Sequence, residues 1–387
     1  MPLPTSGSLS LDQIHVEAGG TSTTTASIND TDIRGLIDKG SAVTMAFNEW
    51  YGATANIAGQ ATINIAGSGT TTYTLPVGVE TICVLIVMPG EDGNMITNQV
   101  TAGWGGGGGN LGYWNHISVN GAGSSTAPQI TFSWKSYVNY VSPYYDYGYK
   151  LRTQWYPGGN NTPYTTWNQN SGAQYQDQAH TRMGIKMDWG SNTNPGYITQ
   201  TYSGSTIYKS TNVDANGTIR GGRGGYGAGG EGSGGGAAGY SGNGGNGGGS
   251  NNSAGDAGSG GGGGGAGGTS AYMYGVGVGQ GAGGGGVGIL GPGANGAGGV
   301  AGSSTGAYGI VRGGSGGSGG GNGGTVERNY SSWSGNGNGG DYGGGGGGGG
   351  AMYPYGGSTN SSPGGDGVVR LMWGNNRAYP STNVADQ

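Results

Sequence analysis

The apolar positions of this chain fall into four successive regimes of spacing, and each predicts a different kind of element. Over residues 1–52 they recur at helical intervals between capping residues. In "SLSLDQIHVEAGG" the spacing predicts a helix over Leu11 to Ala18, with Ser10 as N-cap, Gln13 at the third helical position and Gly19-Gly20 as the stop. "INDTDIRGLIDKG" repeats the device: Asp30 or Thr31 caps, Ile33, Leu36 and Ile37 form the apolar face, and Gly40 ends it. "SAVTMAFNEWYG" predicts a third short helix carrying Met45, Phe47 and Trp50. So small a helical module gains stability by docking onto something. It reads as an attachment element, with Leu11, Ile14, Ile33, Leu36, Phe47 and Trp50 as the candidate attachment residues.

From residue 53 the period drops to two. "ATINIAG" sets Ile63 and Ile65 on one face, and "TTTYTLPVGVETICVLIVMPG" puts a Pro-Val-Gly turn between an alternating strand and a continuous apolar one. That second strand, Thr81 to Met88, is apolar on both faces and belongs inside a sandwich or between layers. "QITFSWKSYV" alternates Ile130, Phe132 and Trp134 inward with Thr131, Ser133 and Lys135 outward. "TRMGIKMDWG" does likewise with Met183, Ile185, Met187 and Trp189, and "GYITQTYSGSTIYKST" reads as two strands joined at Ser203-Gly204. The intervening "SPYYDYGYKLRTQWYPGGNNTPYTTWNQNSGAQYQDQ" is too polar and too punctuated for core, so it predicts long aromatic connections. Residues 53–219 thus read as an antiparallel β domain with Tyr/Trp-rich loops.

Residues 220–367 lose apolar periodicity because glycine takes over; the whole chain has 102 Gly in 387 residues. Collagen is excluded, since no Gly-X-Y register persists and Pro292 is the only proline between 220 and 350. Spacing of three nevertheless recurs locally: Arg223 and Tyr226 in "GGRGGYG", Asn243 and Asn246 in "GNGGNGGG", Ser315 and Ser318 in "GGSGGSGGGNGG". A polyproline-II strand has three residues per turn and a rise of about 3.1 Å. X-Gly-Gly therefore leaves two of three edges bare, so that strands can pack side by side through their peptide groups. A glycine-rich β sheet or loop stack is the structural alternative, and a flexible linker the bland one. "AYMYGVGV" (271–278), "VGIL" (287–290) and "YGIV" (308–311) read as turns, caps or seals. Residues 368–387 hold a closing strand and a polar tail. The fold expected is mainly β with a glycine-rich polyproline/polyglycine-II-like bundle and a small N-terminal helical module.

Composition narrows the chemistry. A net charge of −5 and 25 Tyr with 9 Trp argue for order rather than disorder. The one cysteine, Cys83, lies in an apolar strand and reads as a small buried hydrophobe. The N-terminus lacks a signal peptide pattern, and no stretch approaches the ~20 apolar residues of a membrane span. GxGxxG matches abound in the glycine region without the strand and helix that would make them nucleotide sites. His15, His116 and His180 are scattered, so neither a metal nor a cofactor is expected. A glycosidase pair would have to come from acids such as Asp146, Asp177 and Asp188. An acidic pI of 5.1 and 14 Lys plus Arg without a basic stripe speak against nucleic acid.

The aromatic-polar stretch is the more pointed signal. Tyr144, Tyr145, Tyr147, Trp155, Tyr156, Tyr164 and Trp167 alternate with Asn, Asp, Gln and Gly. Rings stack on sugar faces while amides and carboxylates bond hydroxyls; the same residues also make subunit interfaces or satellite core. Tyr272, Tyr274, Tyr353 and Tyr355 form two further knots flanked by glycine.

Three segments carry a resemblance to a known family: "LPTSGSLSLDQIHVEAGG…FNEWYGA", "YTLPVGVETICVLIV" and "GGDGVVRLMWGNNRAYPSTN". They resemble the N-terminal module, the strand leading into the glycine-rich domain, and the closing strand and tail of glycine-rich virion proteins of tailed bacteriophages, particularly those of marine and cyanobacterial hosts. Here a tyrosine-rich stretch of about 120 residues intervenes before the glycine runs, unlike the simpler members. The resemblance implies a non-enzymatic tail-fibre or tail-tip adhesin, made in the host cytoplasm and carried on the virion. Residues 1–52 would meet other virion proteins, the chain would form a homo-oligomer (a trimer by preference), and aromatic loops would bind a host surface glycan or outer-membrane protein. The runner-up is a virion decoration or self-assembling fibre protein without a receptor. A small-molecule or ice-surface binder is a third class.

Overall fold

The computed structural model describes residues 3–37, 39–40, 43–53, 58–79, 81–93, 105–109, 111–118, 127–141, 144–156, 183–188, 198–202, 205–209, 232–240, 242–248, 254–258, 281–300, 308–329, 332–335, 337–348, 362–374 and 377–380. The architecture is mostly β with few helices.

Helix α1 (Leu11–Glu17) starts as its sequence predicts. Ser10 Oγ accepts from the Gln13 N–H at 3.2 Å, and Gln13 Oε1 accepts from the Ser10 N–H at 2.8 Å, closing a capping box. Helix α2 (Thr31–Gly35) is shorter than expected. Its Asp30 cap accepts from the Ser27 N–H instead of a helix donor. The buried Arg34 guanidinium gathers the carbonyls of Gly40 and Val43, wrapping the chain back before Gly40 can serve as a helix end. The third expected helix is a single 3-10 turn, Phe47–Trp50. Leu3, Ile14, Ile33 and Trp50 form the core of this module, and the Trp50 indole N–H donates to the Ile33 carbonyl at 3.0 Å.

The strands are β1 (Gly59–Ile65), β2 (Gly69–Thr74), β3 (Thr81–Val87), β4 (Leu111–Ser118), β5 (Gln129–Val141), β6 (Tyr144–Tyr156), β7 (Met183–Asp188), β8 (Ile198–Tyr202), β9 (Ser205–Lys209), β10 (Tyr308–Val311), β11 (Val326–Asn329), β12 (Ser332–Gly335) and β13 (Gly367–Trp373). They make an antiparallel sheet in the order β1-β13-β3-β4, a six-stranded one β2-β5-β6-β7-β8-β9, and a three-stranded one β10-β11-β12. The closing strand therefore lies between β1 and β3, with Val369 opposite Ile63 on one side and Ile86 on the other. "YGIV", expected as a turn or seal, is strand β10, zipped to β11 from Tyr308↔Asn329 to Val311↔Val326.

Strand β3 is buried on both faces, as its uninterrupted apolar run predicts. Ile82, Val84, Ile86 and Met88 face Ile130 and Phe132 of the six-stranded sheet in one core, together with Ile65, Val369 and Leu371. Cys83, Leu85 and Val87 face the other way, into a second core closed by Ala237, Ala238, Tyr240 and Val287 of the glycine-rich region.

That second layer has almost no side chains. Three of its segments are direct continuations of neighbouring strands: 90–93 follows β3, 105–109 leads into β4 and 362–366 leads into β13. Gly90 N–H donates to the Gly365 carbonyl and Glu91 N–H to that of Gly107, so the order β13-β3-β4 is carried on beyond the sheet. In segment 232–239 the donors rotate. Ser233, Gly236 and Gly239 donate to Gly248, Gly245 and Gly242; Gly234 and Ala237 donate to Ala282 and Gly285; Gly235 and Ala238 donate to Gly106 and Gly109. The same neighbour returns every third residue.

The octaglycine run sits at the centre of these bonds. Each of Gly343 to Gly348 donates one backbone hydrogen bond and accepts one, at 2.6–3.1 Å, and the partners lie on 90–93, 105–109, 232–239, 281–288, 337–340 and 362–366. No Cβ fits: one built on Gly345 would stand 2.2 Å from the Gly106 carbonyl oxygen. Gly345→Ala is expected to destabilise the glycine region by about 1–3 kcal/mol or more. Gly35→Ala, on an exposed helix position with nothing within 4 Å of the new methyl, is expected to stabilise the helical module by up to about 1 kcal/mol. Urea melts of the two variants should shift in opposite directions.

Candidate functional site

The aromatic stretch forms a strand where the sequence reading places loops. Tyr144, Tyr145, Tyr147, Trp155 and Tyr156 all lie on β6, which pairs with the equally long β5 from Gln129↔Tyr156 to Val141↔Tyr144. The signal was present: Tyr145, Tyr147, Tyr149, Leu151 and Trp155 alternate with Asp146, Gly148, Lys150, Arg152 and Gln154. The abundance of polar residues masked a period of two. "GYITQTYSGSTIYKST" does give two paired strands, β8 and β9, with Tyr202 opposite Ser205.

Register sorts the aromatics by face. Directly opposed residues of an antiparallel pair share a face. Trp155 stands opposite Ile130, which is buried in the sandwich, so Trp155, Tyr145 and Tyr147 take the sandwich-side positions. Tyr144 and Tyr156 take the outer positions, in line with Thr70, Thr72 and Thr74 of β2, which are exposed. Tyr164, Trp167, Tyr272, Tyr274, Tyr353 and Tyr355 lie outside the described residues.

The acids considered for glycoside chemistry are not brought together by this register. Asp188 stands opposite Lys150, and Asp146 is four residues further along β6. At roughly 3.3 Å per residue and 4.8 Å between strands, their backbones are about 14 Å apart. The carboxylate separations of retaining and inverting enzymes are about 5–5.5 Å and 6.5–9.5 Å. Asp177 and His180 lie outside the described residues. His15 Nε2 sits 2.9 Å from Thr24 Oγ1 in the helical module, and among the described residues no group of three His, Cys, Asp or Glu gathers.

Of the attachment candidates, Ile14, Ile33 and Trp50 are spent in the module's own core, with Leu11 and Leu36 packed against it. Phe47 is exposed, as are Val16 and Val43.

Sequence reasoning missed a buried polar knot where sheet and glycine layer meet. Arg370 lies within the apolar run of β13 and is 1% exposed; its guanidinium donates to the Ile289 carbonyl at 2.7 Å and to Gln60 Oε1. Tyr240 donates its hydroxyl to the Gly288 carbonyl and accepts from the Gly291 N–H, both at 3.1 Å, pinning the bend between them. Asn115 clamps Tyr379 through both backbone groups, at 2.6 and 2.8 Å, while the buried Cys83 thiol donates to the Arg377 carbonyl at 3.1 Å. Glu91, also buried, accepts from the Gly107 N–H at 2.6 Å. A charged residue inside an apolar run was the available signal, since it demands a buried partner. These groups hold structure together and offer no open site.

Among the described residues no helix is long and apolar enough to cross a membrane. Compared with known proteins, the chain matches no family model, no curated protein and no solved structure.

Burial pushes the Tyr240 and Tyr379 hydroxyls well above the ordinary phenol range, outweighing the nearby Arg370 charge. Both stay neutral in the folded protein while the unfolded chain ionises near pH 10. Their contribution is complete below about pH 10 and is lost as pH rises above it. Tyr240→Phe is expected to cost about 1–3 kcal/mol at neutral pH through two lost hydrogen bonds. It should also flatten the loss of stability between about pH 10 and 12, read from thermal melts across that range.

Proposed function

We propose that this chain is a non-enzymatic virion protein of a tailed bacteriophage, most simply a tail-fibre or tail-tip adhesin. In this reading its glycine segments form a polyglycine-II-like bundle that acts as a rigid scaffold. The observation that carries it is the saturated hydrogen bonding of Gly343 to Gly348 to six surrounding segments, with donors elsewhere returning to one neighbour every third residue. Three residues per turn is the geometry of a polyproline-II helix. A layer of that kind exposes few side chains to proteases and resists bending, which suits a part that must project from a particle. The three sequence segments that resemble phage virion proteins supply the biological setting. Residues 1–52 would dock on other virion proteins, and the six-stranded sheet would meet a host surface glycan or outer-membrane protein.

One observation favours the second reading, a virion structural or decoration protein with no receptor: Trp155, Tyr145 and Tyr147 share the sandwich-side face with buried Ile130. Labelled full-length chain, incubated with marine and cyanobacterial cells, is expected to bind susceptible strains and to block phage adsorption to them. Folded, assembled protein that binds none of them would overturn the adhesin reading. Trp155→Ala separates the two: lost assembly supports the structural role, and lost adsorption on intact assemblies supports adhesion.

A further inference from the structure

The chain is acidic overall, with 19 Asp plus Glu against 14 Lys plus Arg, and its basic residues are scattered in sequence. The register of the six-stranded sheet undoes that scatter. One row running across the strands holds Thr70 (β2), Ser133 (β5), Arg152 (β6), Lys186 (β7), Thr199 (β8) and Lys209 (β9), each opposite the next. The adjacent row holds Lys135, Lys150 and Asp188. Five of the 14 basic residues of the chain thus occupy one face of one sheet, with a single acid in the same two rows.

This is the outer face. On β2 the residues of this parity, Thr70, Thr72 and Thr74, are exposed, while Ile130 and Phe132 of the opposite parity are buried in the sandwich. The row flanking Arg152 on its other side is neutral and polar: Thr72, Thr131, Gln154, Gly184 and Thr201. From β6 to β9 the basic row spans about 14 Å, and the two basic rows lie about 7 Å apart.

Two of the pairings set like charges directly opposite one another, Lys135↔Lys150 and Arg152↔Lys186. Such pairs cost stability in a sheet. An acidic protein had carboxylates enough to place there, as it does once with Asp188 opposite Lys150. Cations placed opposite one another across a sheet are relieved by an anionic ligand that brings its own charges.

We propose that the outer face of the six-stranded sheet, centred on Arg152 and Lys186 with Lys135, Lys150 and Lys209 around them, binds an acidic polysaccharide. The cations would meet its carboxylate or sulfate groups and the threonine, serine and glutamine positions its hydroxyls. A nucleic acid fits less well. These rows carry no aromatic position for base stacking. The inference rests on the adhesion reading for its biological setting and names the class of glycan.

The test uses the folded full-length chain, immobilised, with polygalacturonate and dextran sulfate as probes and neutral dextran and single-stranded DNA as comparisons. Both acidic polymers should bind in a salt-sensitive way and neutral dextran should not. The double variant Arg152→Gln with Lys186→Gln should weaken binding roughly tenfold or more. Arg312→Gln, which removes one exposed cation in the glycine region, should leave it unchanged. Lys135→Glu sets an acid opposite Lys150 and so should melt no lower than the parent while binding the polymers less. That variant keeps the test decisive where the glutamine pair fails to fold. Undiminished polymer binding by Lys135→Glu, or DNA bound more tightly than either polymer, overturns the proposal. Adsorption to cells is scored separately. Adsorption that survives the loss of polymer binding overturns this inference and spares the adhesion reading, and polymer binding without adsorption to any cell does the reverse.

Discussion

Every backbone N–H and C=O taken out of water needs a partner, and in the glycine layer that requirement is met almost wholly by other backbones. A peptide group can approach a neighbour from all sides only where no Cβ intervenes, so glycine is here a packing requirement. Its cost is the large conformational entropy that glycine loses on ordering. Twelve backbone bonds to the six residues Gly343 to Gly348 are the compensation at the centre of the layer. At its boundary the compensation changes kind. Ala237, Ala238, Val287 and Tyr240 turn toward Leu85, Val87 and Met372, so apolar burial takes over where the layer meets the sheet.

The sheet also supplies the order of the layer. Strands β13, β3 and β4 are held in sequence by ladder bonds and apolar contacts, and each runs into its own glycine segment. Three neighbouring segments of the layer are thereby held in the order of the sheet. Segments 232–239 and 281–288 add to that template, donating to one neighbour on every third residue. The insertion of β13 between β1 and β3 couples this template to the far end of the chain, so the layer is complete only when residues 362–373 are in place.

What the sequence made legible follows from range. Capping at Ser10 and Gln13 is decided within four residues, and the two-faced burial of β3 within eight, so both can be read directly. The spacing of three was legible at Asn243 and Asn246, which are exposed, and at Ser315 and Ser318, whose hydroxyls accept from the Ala297 and Gly293 N–H groups. Partners were not legible, because a residue without a side chain carries no pattern that identifies its neighbour. The same holds for register: nothing local to Arg152 announces that Lys186 will stand opposite it. Tyr342 shows both limits. It sits in the left-handed region at φ 62°, where an aromatic residue is rarely found, and is held against the second core just before the glycine run begins.

This division places severe limits on where the molecule can change. A methyl group added at Gly345 or Gly347 would lie about 2 Å from a neighbouring carbonyl oxygen, so these positions take a side chain only by displacing backbone. The outer face of the six-stranded sheet has the opposite character, because alternate positions on a strand can be exchanged without touching the core beneath. Arg152 and Lys186 occupy such positions, while Ile130 and Phe132 on the other parity hold the sandwich. Alternate positions on this sheet can therefore change with the fold held constant, while Gly345 and Gly347 cannot take a side chain without moving a neighbouring backbone.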